Sequence, residues 1–225
     1  MRSLLALLLA CLWAPLLPVS AASGGGDLLP VLISPHNPRT STVGPAPGMF
    51  LVARRTLQDS HFRQSVVYLL EHDKHGTAGL IVNRPSHIRL SEAVAEIDEA
   101  AASRHALYYG GPVGVSQITM LLRNEAAAPL LTPVDGDVFV SANRQVLERL
   151  LAAGKPQNEL HFYLGHAGWA PGQLDFELVH KHWHLVAGDA DAIFASDIDS
   201  LWKRLIQRLE PLGIQVKADT PSRFF

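Results

Sequence analysis

The chain carries eleven histidines, several of them in clusters, and an imidazole can serve as acid, base or metal ligand. His72 and His75 flank a short polar run, and His180, His182 and His184 are spaced by two. On one strand, spacing by two would set three imidazoles on one face, as a metal centre requires. The residues around 180–184 read instead as a helix end followed by a strand, so the three rings are expected to diverge. There is no HExxH spacing and no paired carboxylate, and no metal or other cofactor is assigned. Glu71 and Glu177 are available as general bases, and His72 stands next to Glu71. A hydrolytic triad is not supported. There is no GxSxG elbow, and Ser65 and Ser141 fall at a strand start and a helix cap.

A second group of residues suits recognition better than reaction. In Asn83-Arg84-Pro85 the asparagine supports a turn, the proline stops a ladder, and the arginine is left at a strand end where it could grip a carboxylate or phosphate. Gly110-Gly111-Pro112 permits a tight bend and the close approach of another backbone, without the spacing of a phosphate loop. Gly168-Trp169-Ala170-Pro171-Gly172-Gln173 places backbone N–H groups beside a flat apolar ring just before a helix. These residues read equally well as packing and turn devices.

The elements that must position them are short and alternate in type. Apolar, partly β-branched runs predict strands at Met49 to Ala53, Val66 to Leu70 and Ala78 to Val82, the last two joined by a turn over residues 71–76. Further strands are expected at Ala106 to Tyr109, Ile118 to Leu122, Asp137 to Val140, Leu160 to Leu164 and Trp183 to Val186, with a loop at residues 165–168. Helices are expected from Ser91 to Ala102, from Ser141 to Ala153, from Pro171 to Lys181, and from Ser196 onward, where Leu201, Leu205 and Leu209 recur at i, i+4. Hairpins beside isolated helices argue for an α+β fold over a doubly wound sheet.

Composition sets the outer limits. The 225 residues are 48% apolar and 18% charged, with 19 basic against 21 acidic side chains and a net charge of −2. That excludes a disordered chain and counts against nucleic acid as the partner. One cysteine excludes a disulfide framework. Residues 1–21 read as a signal peptide, with Arg2, an apolar run from Leu4 to Leu17, and small residues at Val19 and Ala21 around a cleavage site. Cys11 offers a less favoured lipoprotein cleavage. Residues 22–45 read as a proline-rich linker and residues 46–225 as the domain. A periplasmic or secreted protein with no transmembrane helix after signal removal is expected, or a cytoplasmic one if the segment is not a working signal.

The motifs in order, Gly48 to Ala53, Ser65 to Tyr68, Glu71-His72, Gly79 to Pro85, Tyr109 to Val113, and Ala167-Gly168-Trp169 with Gly172-Gln173-Leu174, resemble those of the YqgE/AlgH family over about residues 46–214. The resemblance implies one compact domain with a strongly curved, barrel-like mixed sheet and flanking helices. It implies no settled biochemical activity; the family name derives partly from a suggested role in regulating alginate production. The chain departs from the family in carrying Leu70 where many members have cysteine, Thr119 to Arg123 in place of a common Phe-Val-Leu-His segment, and His166 where an aromatic residue is frequent. The expectation is a binding or regulatory domain in which Asn83, Arg84, Gly110, Gly111, Gly168, Trp169 and Gln173 line one cleft for a small anionic ligand or peptide. The rival is an enzyme using Glu71 or His72 as acid or base, or a hydrolase assisted by a metal on His72 and His75.

Overall fold

The computed structural model describes residues 44–211 except positions 95, 124, 126 and 127. The signal, lipoprotein and most of the linker expectations lie outside the described residues. Nine strands form one sheet: β1 (Met49–Ala53), β2 (Val66–Asp73), β3 (Gly76–Ile81), β4 (Leu107–Tyr109), β5 (Val113–Leu122), β6 (Thr132–Asp135), β7 (Val138–Ser141), β8 (Leu160–Trp169) and β9 (Trp183–Ala187). Their order is β6-β7-β5-β8-β3-β2-β1-β9, with β4 pairing parallel to β8 alone. The sheet is mixed, as expected, and open rather than closed. It curls enough that Gly48, just before β1, touches both Asp135 at the end of β6 and Gly188 after β9.

Side-chain alternation sorts the core into layers. Phe50, Tyr68, Leu80, Tyr108, Leu121 and Tyr163 share one face, covered by α5 (Ala190–Ile193) and α6 (Leu201–Leu209). On the other face, Leu51, Val67, Ile81, Trp169 and Trp183 pack under α4 (Gln173–Val179). Met120, Leu122, Leu160 and Phe162 pack under α1 (Leu90–Ala93), α2 (Glu99–Ala102) and α3 (Arg144–Ala152). Leu201, Leu205 and Leu209 face the core as their spacing requires.

Five local expectations are corrected. The turn over 71–76 is tighter: Glu71, His72 and Asp73 are paired strand, leaving Lys74 and His75 at the tip. The helix expected from 91 to 102 is two short ones, because Glu96 takes a positive φ of 58° and Asp98 starts a new helix by accepting from the Ala100 and Ala101 amides. Asn143 caps α3, not Ser141, which ends β7. The last long helix starts at Leu201, not near Ser196, after the separate short α5. Residues 165–168 continue β8 instead of forming a loop. The glycine there matters nonetheless. Gly165 has φ +69°, and across it the odd-numbered side chains of β8 switch faces, Tyr163 entering the layer under α6 and Ala167 and Trp169 the layer under α4.

Gly165 is also where the chain crosses itself. β4 lies along one edge of β8, while Val113 of β5 pairs with His166 on the other edge. Gly110-Gly111-Pro112 spans the two by passing directly over β8, so the backbones of Gly110, Gly111, Gly165 and His166 are in mutual contact. Side chains have no room at this crossing.

Candidate functional site

The recognition residues divide around one loop, residues 54–65, between β1 and β2. Asn83 is buried; its Oδ1 accepts from the Val66 amide at 2.7 Å, and its Nδ2 donates to the Gln64 carbonyl at 3.0 Å. Arg84 donates from Nη1 to the His61 carbonyl at 2.6 Å and from Nη2 to the Arg63 carbonyl at 3.0 Å, and it lies over the Tyr109 ring. From the opposite side Phe62 stacks on Trp169 with ring centres 5.9 Å apart. Asn83, Arg84 and Trp169 therefore all hold this loop, Asn83 and Arg84 through its carbonyls and Trp169 through a ring.

Trp169 is engaged at its polar end too. Its Nε1 donates to Glu177 Oε2 at 3.0 Å, and the Trp183 Nε1 donates to the same oxygen at 2.8 Å. Gln173 donates to Glu177 Oε1 at 3.0 Å while its own Oε1 accepts from the Ala170 amide. The anion facing the indole is thus Glu177 of the chain itself; its two indole donors pin α4 to β8 and β9, and Gln173 braces it from within the helix. Glu177→Ala should cost about 2–4 kcal/mol, since two nearly buried indole N–H groups lose their acceptor at roughly 1–3 kcal/mol each. Urea unfolding followed by tryptophan emission measures it; a loss under about 0.5 kcal/mol, the size of an ordinary surface change, would remove this network from the account.

Gly110 and Gly111 are buried at the chain crossing and present no open surface. Gly168 is exposed on β8, opposite Ala78. Glu71 is exposed, and strand alternation turns it and His72 to opposite faces. His72 Nδ1 is 2.7 Å from the Thr77 hydroxyl across the hairpin, while His75 is exposed at its tip. The expected divergence of the three later histidines holds for His184 alone, whose Nε2 meets Glu210 at 2.8 Å; the His180 ring packs on Phe176 and has the His182 ring 6.4 Å away. Among the described residues no three His, Cys, Asp or Glu side chains group as metal ligands.

What remains open beside Asn83 and Arg84 is a polar groove of about 590 Å³, lined also by Ser60, Arg63, Gln64 and Asp199. Burial pulls the Arg84 pKa below the ordinary arginine value; Tyr109 opposes this and the positive charge of Arg63 adds to it. Among the described residues, neither Arg63 nor Arg84 has a carboxylate within ion-pair distance, Asp199 included. Ser60, Arg63 and Gln64 escaped sequence reasoning because residues 54–65 carry no periodicity; the one available signal was the repeated arginine at 54, 55 and 63.

Comparison with known proteins places these features. A family model described as AlgH-like matches residues 50–212. The UPF0301 protein of Dechloromonas aromatica is 33% identical over 169 residues, which is 73% of this chain and 89% of that protein. A UPF0301 protein of Methylococcus capsulatus is 33% identical over 164 residues, covering 71% and 89%. The solution structure of the AlgH protein from Pseudomonas aeruginosa matches with a TM-score of 0.64 at 24% identity, covering 82% of this chain and all of that one. A crystal structure from Corynebacterium diphtheriae matches with a TM-score of 0.58 at 24% identity, covering 75% and 90%. At such identities the two structures speak to the fold alone.

Proposed function

Since the chain belongs to the AlgH-like family, we propose that it acts as a non-catalytic binding domain that recognises a small oxyanion, a carboxylate or phosphate, in the groove beside Arg84. One observation carries this reading: two guanidinium groups line the same open polar groove with no carboxylate in ion-pair range among the described residues. Arg84 is held rigid by two carbonyls, leaving its remaining N–H groups pre-aimed, while Arg63 is exposed and able to close on a ligand. Gln64 and Ser60 add neutral polar groups, and Asp199 on the wall favours a ligand that also carries a donor. The enzymatic alternative has less support, because Glu71 and His72 face apart and Glu177 is occupied by its three donors.

Titrating the full chain with inorganic phosphate, and separately with citrate, tests the reading and separates the two ligand sources. The expected result is saturable NMR shifts at Arg63, Gln64 and Arg84 with one ligand, weakened about tenfold or more in Arg63→Ala, which leaves the loop contacts of Arg84 intact. Shifts that never saturate, or that are unchanged in the variant, would overturn it. Export remains part of the proposal, resting on the apolar run and small residues before Ala22. It is checked by N-terminal sequencing of the protein from a periplasmic fraction.

A further inference from the structure

The two edges of the sheet are unlike. β6 is blunted: it is four residues long, carries Pro133 and Asp135, and is broken in register against β7. β9 has none of these devices. Its sequence is Trp-His-Leu-Val-Ala, paired to β1 in unbroken register from Met49↔Ala187 to Ala53↔Trp183. The Arg54 amide donates to the His182 carbonyl, so alternation turns the N–H and C=O of Trp183, Leu185 and Ala187 away from β1. Among the described residues these outward groups have no partner. Trp183 is covered, whereas Leu185 is part-exposed and Ala187 exposed.

A groove of about 570 Å³ runs beside this edge on the face of Val186. Phe50, Val186, Leu201, Leu205 and Leu209 supply its apolar wall, and Arg204, Arg208, Asp189 and Asp191 its charges. Three of those charges are already engaged. Arg204 pairs with Asp197, Asp191 with Arg123 at 2.7 Å, and Asp189 Oδ1 caps the Asp191 and Ala192 amides. Arg208 is the one of the four with neither an ion pair nor a hydrogen-bond partner among the described residues.

We infer that β9 is a strand-addition site for an extended peptide of a partner protein, one with alternating apolar side chains and an acidic residue. The peptide backbone pairs with Leu185 and Ala187. Alternate side chains on the Val186 side enter the groove, and the acid meets Arg208. Main-chain pairing supplies affinity in this mode, and the pockets beside it supply selectivity. Only the free edge, the apolar groove and the uncompensated arginine together specify both an extended backbone and an anionic group. This surface is separate from the Arg63 and Arg84 groove and stands or falls independently of it.

The test uses the full chain and a short labelled peptide alternating valine with threonine and carrying one glutamate. Binding is expected to slow hydrogen exchange at the Leu185 and Ala187 amides. Arg208→Glu on the protein, or lysine for glutamate in the peptide, should each weaken binding about tenfold or more. N-methylating alternate peptide amides, which blocks strand pairing and leaves the protein untouched, should abolish it. Protection at β6 instead, or indifference to both charge changes, overturns the inference. So does slow exchange at Leu185 and Ala187 in the free chain, whether from another segment or from a second copy covering the edge.

Discussion

Gly111→Ala is expected to yield no cooperatively folding protein. A Cβ there would collide with the carbonyl group of His166 and the amide of Ala167, both backbone atoms in the middle of the sheet, at a φ of +151° that only glycine adopts readily. Neither partner can yield, because β8 is paired on both edges at this level. The cost should exceed about 4 kcal/mol, a large share of the stability of a domain this size. Gly136→Ala separates collision from backbone strain. It also has positive φ, +54°, but a Cβ there meets nothing within 4 Å. That variant should fold and lose about 1 kcal/mol, the usual cost of left-handed backbone. Equal losses in chemical unfolding of the two would mean that the chain does not cross itself as described.

The second large effect is on acid stability. His161 is 1% exposed, stacked on Tyr108 with ring centres 4.9 Å apart, packed on Phe194, and has Nδ1 3.3 Å from the Tyr163 hydroxyl. Burial lowers its pKa from 6.5 to about 4; the charge of His105 pushes the same way, against a hydrogen bond to the Gln157 backbone. Above pH 6.5 the ring is neutral in folded and unfolded chains alike. Between 6.5 and 4 the unfolded chain takes up a proton that the native state refuses, so stability falls as pH falls and levels off below 4. The loss amounts to roughly 3 kcal/mol. His105 and His166, also lowered by burial, steepen it. Urea titrations between pH 4 and 8 should show this slope, and His161→Phe, which keeps the ring packing, should remove most of it. An unchanged slope in that variant would place the acid sensitivity elsewhere.

Elements with a short continuous apolar run, such as β1 and β7, and the leucine spacing of α6 were legible because one local pattern determines them. β6 was missed because Pro133 argues against a strand unless the strand is known to lie at an edge, which is a property of the whole sheet. The 165–168 segment was misread for a related reason. A glycine that reverses side-chain facing looks like a loop until its neighbours on both sides are known. Family motifs identified the fold, whereas Asn83, Arg84, Trp169 and Gln173 read from the sequence as the lining of a ligand cleft. Their partners were not legible, since loop carbonyls from residues 61–64 and the Glu177 carboxylate come close only after the sheet has formed. Arg63 sits in a segment without periodicity, marked only by the repeated arginine at 54, 55 and 63.

The central place of β8 bears on how the chain is made. β3 and β5, adjacent to it on either side, leave the ribosome well before residue 160 with β2 and β7 beside them, and the two groups join only when β8 slides between. At about 5–20 residues per second, the half-built sheet spends seconds with an empty slot. The polypeptide therefore locks into a single sheet only when its final third arrives.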